Sequence, residues 1–192
     1  MSTEELRIIF VVYTSALVPA LFMINLARKN QLPRSILRIY IMTFLICALG
    51  WELWFTYGIY AGDPVDLRRS EILNQFIPKN INWLMNSLAD AGTIGLGGIL
   101  LTGKLLGSDR TVFNQWNLGA FFILLTWCIG QNVFVEMFLY HDQLSVGKDL
   151  SWAPLAPTGP WMNPILFQFD DRTITLHGQI PWLLMTPILY KL

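Results

Sequence analysis

Four long apolar runs, each with few charges, decide what this chain can fold into. Residues 6–27, 39–60, 81–106 and 112–140 are each long enough to cross roughly 30 Å of hydrocarbon as a helix. A fifth run, 176–192, is shorter, and it spans only if helix begins near Leu176 or the local bilayer thins. A segment in lipid must satisfy its backbone hydrogen bonds internally. The pattern therefore predicts an all-α, multi-pass membrane helix bundle of about five spans, a single membrane domain over 1–192. Composition agrees: 54% of residues are apolar and 14% charged, against roughly a quarter charged in soluble domains. The first run does not read as a signal peptide, because Glu4 and Glu5 stand where a basic region belongs and the apolar stretch is too long.

Loop charges give an orientation. Arg28, Lys29, Arg34 and Arg38 lie between the first two spans with no acid among them, the mark of a cytoplasmic loop. Asp63, Asp66, Glu71, Asp142, Asp149, Asp170 and Asp171 fall on the other side, diluted by Arg68, Arg69 and Lys79. The N-terminus is expected outside and the C-terminus in the cytoplasm. Formal net charge is +0, and no basic run interleaves with aromatics, so no nucleic-acid partner is expected. Cys47 and Cys128 lie in apolar stretches without metal or redox spacing and read as small core residues.

The longest connection, 141–179, lies on the outer side. It opens on Trp152-Ala-Pro-Leu-Ala-Pro-Thr-Gly-Pro160 and continues as Ile165-Leu-Phe-Gln-Phe, Asp170-Asp171 and Arg172-Thr-Ile-Thr-Leu-His177. Alternation of apolar and polar residues on either side of an Asp-Asp turn predicts a short β-hairpin. Trp152, Trp161, Phe167 and Phe169 favour an ordered cap on the membrane surface.

The most informative residues are acids inside the spans: Glu52, Asp90 and Glu136. A charged acid at mid-membrane costs roughly 2.5–3.5 kcal/mol even on insertion scales. At a rise of 1.5 Å per residue, Glu52 lies about 12 Å below the outer end of its span, Asp90 about 14 Å and Glu136 about 6 Å. All three fall in the outer half. Asn86 and Asp90 are four apart, as are Asn132 and Glu136, so each amide shares a helix face with its acid. A neutral acid beside an ionised one is the arrangement for proton donation and abstraction, or for holding a cation. Trp51, Trp54, Phe55, Tyr57 and Trp83 are candidate apolar walls. The plain alternative is that the acids bond to neighbouring helices and only fix packing. His141 and His177 read as solvated loop histidines.

Other chemistries fit poorly. Two histidines cannot build a di-iron hydroxylase site, no metal-ligand pair has helical spacing, and no metal is expected. Gly95-Leu-Gly-Gly98 lacks the lysine and serine of a phosphate loop, and its small residues read as helix-packing contacts. Lys104 and Lys191 lie near membrane edges, too shallow to hold a retinal-type pigment. No cofactor is implied.

Trp51-Glu52-Leu-Trp-Phe, Asp90-Ala-Gly-Thr-Ile and Gly130-Gln131 followed by Glu136, with Pro187 in the last span, resemble the emopamil-binding protein and sigma-2 receptor-like (EXPERA) superfamily. The likeness covers roughly residues 45 to 190 by scattered motifs. It implies a cavity for sterols or cationic amphiphiles, with Glu52 and Asp90 as acid and base and with Gln131 and Glu136 lining it. Three positions depart from that pattern. Ala48 stands where the isomerase branch has histidine, Glu136 lies one residue further from the glutamine, and the last span lacks an expected asparagine.

The expectation is a protein that binds a membrane lipid or other lipophilic, sterol-like molecule in an acid-lined pocket, with isomerase-like proton transfer as its chemistry if it is an enzyme. Glu52 and Asp90 are the catalytic candidates, and Trp51, Trp54, Asn86, Gln131, Asn132 and Glu136 the ligand-binding ones. The alternative is a non-catalytic subunit or assembly factor of a larger membrane complex, in contact with other membrane subunits.

Overall fold

The computed structural model describes residues 1–58, 64–107, 111–139, 164–169 and 172–192. Helix α1 (Thr3–Arg28) opens on a capping box, in which Ser2 and Glu5 satisfy each other's backbone N–H. Helix α2 (Arg34–Leu49) and helix α3 (Trp51–Tyr57) meet at Gly50 with a bend of 42°. A Cβ at residue 50 would lie 2.6 Å from the Ile46 carbonyl oxygen, so only glycine permits this break. The second apolar run, expected as a span over 39–60, holds two helices, Arg34–Leu49 and Trp51–Tyr57.

After a 3-10 turn at Val65–Leu67, helix α4 (Glu71–Phe76) is capped by Ser70. Helix α5 (Lys79–Ala89) runs through a π-helical segment, Asp90–Leu96, into helix α6 (Gly97–Leu106). This long central rod packs against α1 and α2, and its α6 portion against a helix later in the chain, Leu118–Phe138. Close approach explains three of its glycines. A Cβ at Gly92 would lie 2.5 Å from Pro19 of α1, at Gly95 3.1 Å from Thr43 of α2, and at Gly98 2.7 Å from Trp127. The small residues serve helix packing, as their setting in an apolar run predicts.

Helix α7 (Thr111–Asn114) is a single turn, and helix α8 (Leu118–Phe138) follows. Within the fourth apolar run the long helix begins at Leu118, where the Asn117 side chain accepts from the Ala120 N–H and caps it. Strands β1 (Ile165–Phe169) and β2 (Arg172–Thr175) pair antiparallel as the hairpin predicted around Asp170-Asp171. The second strand stops at Thr175, and helix α9 (Leu176–Lys191) takes over Leu176 and His177. It packs along α8.

Among the described residues, α1, the rod Lys79–Leu106 and α8 are long and apolar enough to cross a membrane, and α2 with α3 qualifies as one bent pair. Helix α9 has 16 residues. Large apolar side chains face outward along these helices, among them Phe10, Phe22, Leu49, Leu100, Phe122 and Leu184.

Two loop residues overturn a reading from sequence. Arg68 and Arg69, counted above as outer-loop charges, are 0% and 8% exposed. Arg69 donates to Asn74 and Asn82 at 2.8 Å each and to the Ile77 carbonyl. Arg68 donates to the Phe55 carbonyl at 2.7 Å, and its guanidinium lies 4.7 Å from the Phe55 ring centre. They tie the chain after α3 to the bundle. His177 is likewise fully buried in the first turn of α9, not solvated.

Candidate functional site

A cavity of about 260 Å³ opens between α1, α3, the central rod, α8 and α9. It is lined by all three acids of the apolar runs, Glu52, Asp90 and Glu136, each from a different helical element. Trp51, Asn86, Gln131 and Asn132 also line it. Seven of the eight residues singled out from sequence thus meet at one space. The exception is Trp54, which is half-buried and outside the lining. One turn of helix separates it from Trp51 on a short helix whose inward face is already taken by Trp51, Glu52 and Phe55.

The acids differ in their surroundings. Glu52 is 6% exposed, and Asn86 hydrogen-bonds it. Its Oε2 atom is buried with no hydrogen-bond partner among the described residues. Asp90, 7% exposed at the start of the π segment, is gripped instead. The Trp51 indole donates to its Oδ2 at 3.0 Å, and the Cys47 thiol also bonds it. Cys47 and Trp51 are four apart across the Gly50 break, so the helix bend brings both donors to one carboxylate. Asp90 and the Arg68 guanidinium both act electrostatically on Glu52.

Glu136 belongs to a clamp between α8 and α9. Asn132 donates to its Oε1 at 3.1 Å and Gln179 to its Oε2 at 3.0 Å. The Asn132 amide also reaches the Gly178 carbonyl at 2.9 Å and the Gln179 side-chain oxygen at 3.0 Å. Gly178 leaves the notch in which the carboxylate sits, for a Cβ there would lie 2.5 Å from Oε1. Asn132 and Glu136, expected on one helix face, are hydrogen-bonded to each other. Asn86, expected to share a face with Asp90, hydrogen-bonds Glu52.

The aromatic wall differs from the predicted one. Trp51 and Phe55 line the cavity. Trp83 donates to the Ala48 carbonyl at 2.8 Å and Tyr57 to Asn80 at 2.8 Å, both away from the lining. In their place stand Trp127, Phe134 and Trp182. The rings of Trp51 and Trp182 lie 5.4 Å apart and join α3 to α9. Trp127 and Phe134 share a helix face with Gln131 by their spacing, a signal that was available in the sequence. Val12 and Ser15 of α1 gave no such sign.

Among the described residues no group of acids, histidines and cysteines is arranged to hold a metal ion. His141, Trp152 and Trp161 lie outside the described residues. No family model, curated protein or solved structure matches the chain. The likeness to the EXPERA superfamily therefore rests on the sequence motifs alone.

Proposed function

We propose that this is an integral membrane protein that binds a lipophilic molecule in the acid-lined cavity, its N-terminus outside and its C-terminus cytoplasmic. The observation that carries the reading is the Glu52 oxygen that lies buried without a partner among the described residues, in a cavity walled by Trp51, Phe55, Trp127, Phe134 and Trp182 beside its polar side chains. A buried acceptor left unmet costs about 1–3 kcal/mol, and a ligand that supplies a donor recovers that energy. The walls suit a hydrocarbon body, while Glu52 suits a hydroxyl or ammonium group.

The pair also supports proton transfer. Asp90, held by Trp51 and Cys47, is oriented as the fixed carboxylate, whereas Glu52 has an oxygen free to exchange a proton with a ligand. That division would make Glu52 the group that exchanges a proton and Asp90 the oriented carboxylate beside it, with Glu136 lining the cavity, in line with the isomerase-like chemistry that the motif resemblance implies.

Native mass spectrometry of the purified protein tests this. Wild type should retain a lipid-sized adduct, and Glu52→Gln and Asp90→Asn should lose it while still unfolding in one cooperative thermal transition. Adduct retained by both variants, or none on wild type, would count against the reading.

A second reading, a subunit or assembly factor, is favoured by one feature. Ile165, Leu166 and Phe167 of β1 are all exposed, at 59%, 49% and 41%. Replacing Ile165 and Phe167 by serine should then abolish co-purification of a partner and leave bound lipid unchanged.

A further inference from the structure

A second hollow lies beside the cavity. It is a shallow groove between α6 and α8, lined by Leu101, Leu105, Phe122, Ile123, Thr126 and Gly130, together with Trp127, Gln131 and Phe134. The last three also line the acid cavity. They recur at intervals of four and three, so one stripe of α8 forms the shared wall of both spaces. The groove side is almost wholly apolar, and both helices belong to elements apolar enough to cross a membrane.

The sizes of the two spaces matter. Pockets for small molecules run from roughly 300 to 1,000 Å³, so a cavity of about 260 Å³ holds the polar end of a lipid but not a whole one. Anything longer must extend beyond the cavity, which is partly open. On the α8 side the wall is the shared stripe, and beyond it the groove runs towards Leu105 and Phe122. Phe134 is 61% exposed, which makes it the least constrained of the three. Trp127 is held by its indole N–H on the Ile94 carbonyl at 3.0 Å.

We infer that the ligand is a single-chain amphiphile whose hydrogen-bond-donor head lies at Glu52 and whose hydrocarbon tail passes the Trp127, Gln131 and Phe134 stripe into the groove between α6 and α8. This rests on the pocket reading above and adds the ligand's class and its path. The tail gains little by exchanging lipid for protein, since the bilayer is as apolar as the groove. Selectivity therefore resides in the head, and the groove decides direction and length.

Photolabelling in lipid nanodiscs tests both parts with two hexadecan-1-ol probes, one with a diazirine next to the hydroxyl and one with it at the tail end. The head probe should label α3 or the Asn86–Ile94 stretch, and the tail probe residues 101–105 or 122–126. Excess unmodified hexadecan-1-ol should compete both. Gly130→Phe fills the groove in open space, because nothing lies within 4 Å of a Cβ there. It should cut groove labelling by roughly tenfold, as an added barrier or penalty of about 1.4 kcal/mol would, while head labelling stays.

Competable head labelling with tail labelling elsewhere, or tail labelling untouched by Gly130→Phe, would overturn the tail path alone. Head labelling that is not competable, or that survives Glu52→Gln unchanged, would overturn the pocket reading and this inference with it.

Discussion

Gly98 and Gly103 lie five residues apart on α6, and alanine should act on them with opposite sign. At Gly98 an added Cβ would lie 2.7 Å from Trp127 Cδ1 and 2.8 Å from Leu124 Cδ1. Neither neighbour yields freely, since Leu124 is fully buried and the Trp127 indole is hydrogen-bonded to the Ile94 carbonyl. Overpacking of this kind costs about 1–3 kcal/mol. Alanine gains about 1 kcal/mol of helix propensity over glycine. Displacing the Trp127 hydrogen bond forfeits about as much, so the overpacking term decides the outcome. At Gly103 nothing lies within 4 Å of the new methyl, and only the propensity gain remains. Gly98→Ala should therefore destabilise by about 1–3 kcal/mol, and Gly103→Ala should stabilise by up to about 1 kcal/mol. Unfolding by sodium dodecyl sulfate in mixed micelles, followed by tryptophan fluorescence, reads both. Equal effects at the two positions would refute the close contact of α6 with α8 on which the cavity wall depends.

Other substitutions probe other joints. Arg69→Met strips donors from Asn74, Asn82 and the Ile77 carbonyl. It should lower stability by more than about 2 kcal/mol in the same unfolding assay, because buried acceptors are left unmet. Gly178→Ala drives a methyl into the Glu136 carboxylate that Asn132 and Gln179 hold. The loss should be about 1–3 kcal/mol, and Glu136→Ala in the same chain should restore part of it by vacating the notch. Trp51→Phe keeps an aromatic ring, smaller than the indole, but removes the donor to Asp90. A cost of about 1–3 kcal/mol is expected for a hydrogen bond to a buried carboxyl group, measured as a shift in the unfolding midpoint.

Local rules carried much of this structure. Acids in apolar runs marked the cavity, because polar groups are expelled from lipid unless they meet one another. The spacing of four between Asn132 and Glu136 placed their contact, and the Asp170-Asp171 turn placed the hairpin. What escaped depends on partners distant in sequence. Arg68 and Arg69 look like loop charges until Phe55, Asn74 and Asn82 are folded against them. Gly50 sits in an apolar run that reads equally well as one helix, and the bend emerges only where the chain turns to bring Trp51 to Asp90. Asn117 is a plain cap residue whose effect, delaying α8 to Leu118, depends on which nearby polar residue wins the helix start. The π segment at Asp90–Leu96 has no signature in composition, though Gly92 and Gly95 mark where other helices press on it.

Glu52 and Asp90 share one buried space, and a double-mutant cycle measures that directly. The unfolding free energies of wild type, Glu52→Gln, Asp90→Asn and the double variant should be non-additive. Groups in contact or in one network couple by roughly 0.5–3 kcal/mol, whereas sites more than about 7–10 Å apart add to within roughly 0.3–0.5 kcal/mol. A coupling above about 1 kcal/mol is the predicted result. Additivity within experimental error would place the two acids in separate surroundings and contradict the shared cavity.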